Sequence, residues 1–244
     1  MTPLKGIPLS SLDLQGSPIS DLSPLKGMPL RQLGIYETGV SDLTPLKGMP
    51  LQSLVLPEGV TDLAPLRGMT LQTLKVGSIS DLGPLKGMPL TSLNIDGAKV
   101  SDLSLLRGMP LTSLHVWGNP VSDLSPLKGM PLTSLNMGAT KTSDLDPLKG
   151  MPLTWLNMSV TRVNDLTPLS GMPIKELFMD NTTVEDLTPL ANIPLVTLCF
   201  TPMNIRKGMD IVRNMKSLSR IGTVHHTVFP PAEFWKKYDA GEFK

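Results

Sequence analysis

Cysteine is nearly absent: Cys199 is the only one in 244 residues, so no disulfide can form within the chain. A lone thiol suits a reducing compartment, and a cytoplasmic setting is the expectation. Charge of one sign is not in excess either. The 22 Lys and Arg against 21 Asp and Glu leave no bulk field to favour nucleic acid or anionic lipid. No apolar run approaches the roughly 18 residues of a membrane span. The opening MTPLKGIPLSSLDL has no charged-then-apolar leader and starts in the middle of a repeat. Aromatics are only 4% of the chain, and Phe229, Phe234, Trp235, Tyr238 and Phe243 crowd into its last sixteen positions. A uniform body and a different tail follow from that distribution.

Signatures of chemistry are missing as well. There is no G-x-G-x-x-G, no G-x-x-x-x-G-K and no G-x-S-x-G, and the kinase signatures H-R-D and D-F-G do not occur. His225 and His226 are adjacent, so on an extended segment they point apart and make a poor chelate, with no Cys-x-x-Cys beside them. Asp96 and His115 fall on neighbouring strands within hydrogen-bonding reach, but no nucleophile with an oxyanion site accompanies them. The expectation is no enzyme, no metal and no cofactor.

What the chain does have is one sentence written about ten times. Segments such as DLSPLKGMPLTSLNM (123–137) recur with leading apolar residues at Leu9, Leu30, Leu51, Leu71, Leu90, Leu111, Leu132, Leu153, Ile174 and Leu195. The period is 21, except for 20 after Leu51 and 19 after Leu71. Each segment opens L-x-x-L-x-L, whose L-x-L alternation is a strand with one buried face. The second half, as in SDLSPLKGMP, holds Pro and Gly too close for a long helix. It reads as one tight turn with Ser or Thr as N-cap, Pro at the first helical position and Gly at the exit. One strand and one turn per coil build a solenoid whose strands stack in parallel about 4.8 Å apart.

L-x-x-L-x-L followed by an Asn or Thr position and a second apolar residue resembles the leucine-rich repeat family. The 21-residue unit is similar to repeats of bacterial members, including those attached to large bacterial serine/threonine protein kinases. The resemblance implies an α/β solenoid, with a parallel sheet on the concave face, short turns or 3-10 segments on the convex face and a C-terminal helical cap. It covers residues 1–206, leaving 207–244 as the cap: a short helix at 207–216, an eleventh strand at SLSRIG and a helix from Pro231. The usual Asn after the strand is mostly Thr (Thr38, Thr140, Thr161, Thr182), with Asn at Asn119. A Thr hydroxyl is expected to bond the neighbouring coil more weakly. The two shortened units should distort the arc locally. No equivalent cap precedes Leu9, so Leu9, Leu12 and Leu14 should stand on an open edge, covered by another domain or chain.

Stacking turns each repeat position into a row. The Met row from Met28 to Met172 reads as core filler at the corner before the strand. Nine aspartates, Asp21 to Asp186, read as turn caps, since one file of carboxylates cannot converge six oxygens on Ca²⁺. The cation row from Lys26 to Lys149 reads as a solvated convex face, offset by the aspartates and without aromatics for base stacking, so no nucleic acid is expected.

The variable letters are the third, fifth and seventh of each L-x-x-L-x-L-x, which point away from the core. Most are Ser, Thr, Asn or Gly. Between the fifth and ninth strands they are not: Trp117, Trp155 and Phe178 should be exposed beside His115, Asp96, Asn136, Asn157, Glu176 and Asp180. Exposed aromatics among polar groups have the composition of a binding hot spot. Acids outnumber the one cation on this variable face, Lys75 of the fourth strand, which favours a basic peptide or protein as partner. The expected function is a protein–protein interaction module, serving as recognition or sensor domain of a larger bacterial signalling protein. The alternative is an assembly element that self-associates through its open N-terminal edge.

Overall fold

The computed structural model describes residues 7–224 and 227–243, so the His225–His226 pair lies outside the described residues. The chain divides into two compact units, Met1–Asn119 and Pro120–Lys244.

Among its described residues the first unit carries six three-residue strands: β1 (Ser11–Asp13), β2 (Gln32–Gly34), β3 (Ser53–Val55), β4 (Thr73–Lys75), β5 (Ser92–Asn94) and β6 (Ser113–His115). They pair in parallel and in chain order, so that like positions stack, Leu54 on Leu74 and Leu93 on Leu114. The coil from Leu90 shows the reason. Leu90, Leu93, Ile95, Val100, Leu103 and Leu106 all point inward and are buried. Each contributes about 1.5–3 kcal/mol of burial, which a three-residue strand could not supply alone. Met109 closes the corner, as the Met row does throughout.

The second unit continues the pattern with β7 (Ser134–Asn136), β8 (Trp155–Asn157), β9 (Glu176–Met179), β10 (Thr197–Phe200) and β11 (Arg220–Val224), all parallel. A final strand unforeseen in the sequence, β12 (Thr227–Phe229), runs antiparallel to β11 across an irregularity between Gly222 and Val224. Gly222 is required there, because a Cβ would sit on the Thr227 carbonyl oxygen. Helices α1 (Met209–Arg213) and α2 (Pro231–Asp239) close the chain, the first shorter than its expected span. Phe234 of α2 is buried against Phe200 of the last regular coil, ring centroids 6.0 Å apart, with Trp235 and Phe243 packed around it. Arg213 ties the two helices by donating to Asp239 at 2.6 Å.

Two local expectations need correction. Each outer segment is a 3-10 turn such as Ser104–Leu106, but its Ser or Thr does not cap it; that residue is the turn's first member. The cap is the aspartate two residues earlier. Asp21, Asp42, Asp62, Asp81, Asp102, Asp123, Asp144, Asp165 and Asp186 each accept the N–H of the turn's first residue at 2.7–2.9 Å. A carboxylate reaches that N–H from outside the turn, whereas a hydroxyl already inside it cannot. The Thr that replaces Asn also behaves differently from expectation. Thr38, Thr140, Thr161 and Thr182 donate to the carbonyl three residues back in their own coil, at 2.7–2.8 Å. Asn119 is long enough to join two coils: its amide donates to Ile95 and Val116, and its oxygen accepts from Val100.

Together these features are a leucine-rich repeat solenoid with a C-terminal helical cap. In the first coil Leu9, Leu12 and Leu14 are half-buried, while their counterparts Leu30, Leu33 and Ile35 are fully buried.

Candidate functional site on the sheet

The sheet face turned away from the core holds the variable letters, because strand side chains alternate. In the first unit it presents Asp96, His115 and Trp117, all half-buried. Asp96 is the organiser. One oxygen accepts the backbone N–H of Trp117 at 2.7 Å, one coil away, and the other accepts from the Asn94 amide at 3.2 Å. His115 Nδ1 stands 3.8 Å from the Asp96 carboxylate, an ion-pair separation too long for the hydrogen bond expected from sequence. The carboxylate thus fixes the backbone beneath the Trp117 ring.

The second unit contributes Asn136, Trp155, Asn157, Glu176, Phe178 and Asp180. Trp155 is half-exposed, and its ring lies 5.6 Å from that of Phe178, tilted by 47°. The expectation that Phe178 is exposed is wrong: it is 3% accessible. Asn157 and Asp180 are also buried, at 3% and 6%. The Trp155 ring packs against Phe178 from the adjoining strand, a lateral contact that a single-strand alternation rule does not anticipate. Phe178 is therefore a support on which Trp155 rests.

The polar members are largely occupied with their own backbone and one another. Asn136 accepts from the Gly138 N–H at 3.3 Å and Asn157 from Ser159 at 2.9 Å. Asp180 accepts from the Ser159 hydroxyl at 2.7 Å and from the Asn181 amide at 3.3 Å. Glu176 meets Arg220, which reaches across from β11 and also donates to Thr197 at 3.0 Å. Sequence reasoning missed Arg220 because the tail breaks the period that located every other row. It missed the cation–π contact of Lys75 with Tyr36, 4.7 Å from Nζ to ring centroid, although both letters stood in the rows.

Among the described residues no three His, Cys, Asp or Glu side chains gather to hold a metal ion. Cys199 is fully buried; burial, with the Asp180 carboxylate adding to it and Arg220 partly opposing, pushes its thiol up to about 12. A thiol so held is no nucleophile. No helix among the described residues is long and apolar enough to cross a membrane.

Neither a family model nor a curated protein matches the sequence. Solved structures do. An internalin (inlF) from Listeria monocytogenes superposes with a TM-score of 0.82 at 27% identity, over 95% of this chain and 73% of that one. The functional domain of InlJ from the same organism gives 0.58 at 20% identity, over 88% of this chain and 53% of that one. Internalin C2 (inlC2) of L. monocytogenes gives 0.50 at 20% identity, over 88% and 80%. On the repeat, the packing and these likenesses, the protein is a leucine-rich repeat solenoid similar to bacterial internalins.

Proposed function

We propose that the chain is a non-enzymatic protein–protein interaction module whose open sheet face binds a peptide or protein segment. The observation that carries this is Trp155, a half-exposed indole seated on a buried Phe178. An aromatic held on a rigid floor loses little conformational freedom on binding, which is what an anchor residue requires. In the first unit, Asp96, His115 and Trp117 are the residues we assign to partner contact. In the second unit, Asn136 and Glu176 accompany Trp155 at the surface, with Asn157 and Asp180 buried beside them. The carboxylates favour a partner of basic character. Residues 1–206 act as the scaffold and 207–244 as its cap. In its wider setting we read the module as the recognition domain of a larger bacterial signalling protein, of the kind that carries a serine/threonine kinase, in a reducing compartment such as the cytoplasm.

The test is affinity capture with the chain and with Trp155→Ala, followed by a binding isotherm on any captured polypeptide. Loss of binding with an intact circular-dichroism spectrum supports the reading; undiminished affinity refutes it. Phe178→Ala is not used alongside it, because removing a buried ring would itself destabilise the fold.

The half-burial of Leu9, Leu12 and Leu14 favours a second reading, assembly through the first coil. Light scattering across a concentration series decides it. Growth of mass with concentration supports assembly, and a constant monomer mass rejects it.

A further inference from the structure

The two shortened coils interrupt a rule that the others obey. At the eighth position, just past the strand, the chain turns through positive φ at Gly16, Glu37, Gly97 and Gly118 in the first unit. The coils from Leu51 and Leu71 lack that turn, and they are the ones with 20 and 19 residues. Beside these coils lies a hollow of about 310 Å³, bordered by Tyr36, Glu58, Lys75, Gly77, Asn94 and Asp96. Tyr36 also borders two adjoining hollows, one with Glu37 and Glu58, the other with Asp13. Gly34 keeps the floor low beside it, since a Cβ there would meet the Asp13 carboxylate at 2.8 Å.

The charges around this ring are one-sided. Among the described residues, Asp13, Glu37, Glu58 and Asp96 line the three hollows, against a single cation, Lys75. That cation lies over the Tyr36 ring, 4.7 Å from its centroid. An aromatic face ringed by carboxylates attracts a cation through its quadrupole and through the surrounding field together. Lys75 is the chain's own occupant of that position.

We propose that the Tyr36 hollow is a receptor for a cationic side chain, arginine or lysine, carried by a basic peptide segment. Lys75 holds the ring when the partner is absent and is displaced when it binds. Glu58 and Glu37 receive the incoming charge, and Asp96, already engaged with Trp117 and Asn94, supplies a fixed field. This site shares its partner class with the proposed function but none of the roles given there to Trp155 and Phe178.

The probe is a short peptide of alternating glycine and arginine, titrated at low ionic strength while the amide resonances of Gly77 and Gly97 are followed. A glycine–glutamate peptide is the counterpart. Tyr36→Leu, which leaves the charge unchanged, should weaken the arginine peptide by about five-fold or more. Lys75→Met should tighten it, by emptying the ring. Lys99→Met, an exposed cation outside the hollow, should change it little. Trp155→Ala should leave it unchanged, so that failure here and failure of the indole anchor are separate results. The proposal is overturned if Tyr36→Leu binds like the parent, if Lys75→Met weakens binding, or if Lys99→Met matches the gain of Lys75→Met. Preference for the glutamate peptide, or equal loss with Trp155→Ala, overturns it too.

Discussion

The carboxylate of Asp102 accepts the backbone N–H of Ser104 at 2.7 Å and the Ser104 hydroxyl at 2.9 Å. One side chain thereby holds the entry of a 3-10 turn that is too short to hold itself. Asp102→Ala removes both bonds and should destabilise the chain by about 1 kcal/mol, the usual cost of a lost cap. Urea denaturation of the variant measures it, and an unchanged midpoint would mean that packing of Leu103 and Leu106 alone sets the turn.

The same bonds set an acid limit. Hydrogen bonds from the Ser23, Thr44 and Thr167 side chains, and then from their backbone N–H groups, hold the carboxyls of Asp21, Asp42 and Asp165 below the ordinary 3.8. At Asp186 the Thr188 N–H contributes most, then its side chain, with Lys207 adding a little. A carboxyl whose folded pKa lies below its unfolded one stabilises the fold above the unfolded value. That contribution is lost as pH falls through the folded value. Thermal melts should therefore be flat from neutral pH down to about 5 and drop below about 4. A decline already complete by pH 5 would point to other groups.

Much of this molecule was legible because it is written many times. A single L-x-L is an ambiguous strand, but ten in register leave one way to bury the leucines. The rows that point inward, such as Leu33, Leu54 and Leu74, need only alternation to be identified. The outward face is harder. Whether Phe178 is exposed depends on the size of its neighbours along the row, Asn157 and Cys199, and of Trp155 beside it. That is a property of the stack and is absent from any one repeat. The Thr in place of Asn looked like a weaker version of the same ladder. Its side chain is too short to reach the next coil, so it serves its own turn. Strand β12 and the role of Arg220 lie where the period ends, and no repeat logic reached them.

Trp155 and Phe178 touch, yet their substitutions should separate cleanly. Phe178→Ala empties a buried site and should cost about 3–5 kcal/mol, whereas Trp155→Ala trims a half-exposed ring and should cost about 1–2 kcal/mol. Chemical denaturation of both variants checks the order. Equal costs would mean that the indole is as much a part of the packing as the phenyl ring, and would remove it as an anchor.

The thiol of Cys199 offers a reading of the same face without substitution. With the side chain fully buried and its ionisation pushed up to about 12, native protein should resist alkylating reagents at neutral pH. Denatured protein should react at the rate of an ordinary cysteine. Fast labelling of the native chain would show that β10 opens on the timescale of the assay.

Val160 occupies the eighth position of its coil with φ of 59°, in the left-handed region where other coils place Gly16, Gly97 and Gly118. A β-branched residue is strained there, since its Cβ and both methyls crowd the adjoining backbone. Burial does not compensate: the side chain is 48% exposed. The turn is held by its N–H, which donates to the Asp180 carbonyl at 2.8 Å. Val160→Gly keeps that bond and relieves the strain, while adding backbone freedom to the unfolded chain. Relief of about 1–2 kcal/mol against an entropy cost of about 0.5–1 kcal/mol leaves a gain of up to about 1.5 kcal/mol. A raised melting temperature for Val160→Gly would establish that the strain is real. A lowered one for Val160→Gly would mean that the exposed methyls make contacts worth more than the backbone strain they cause.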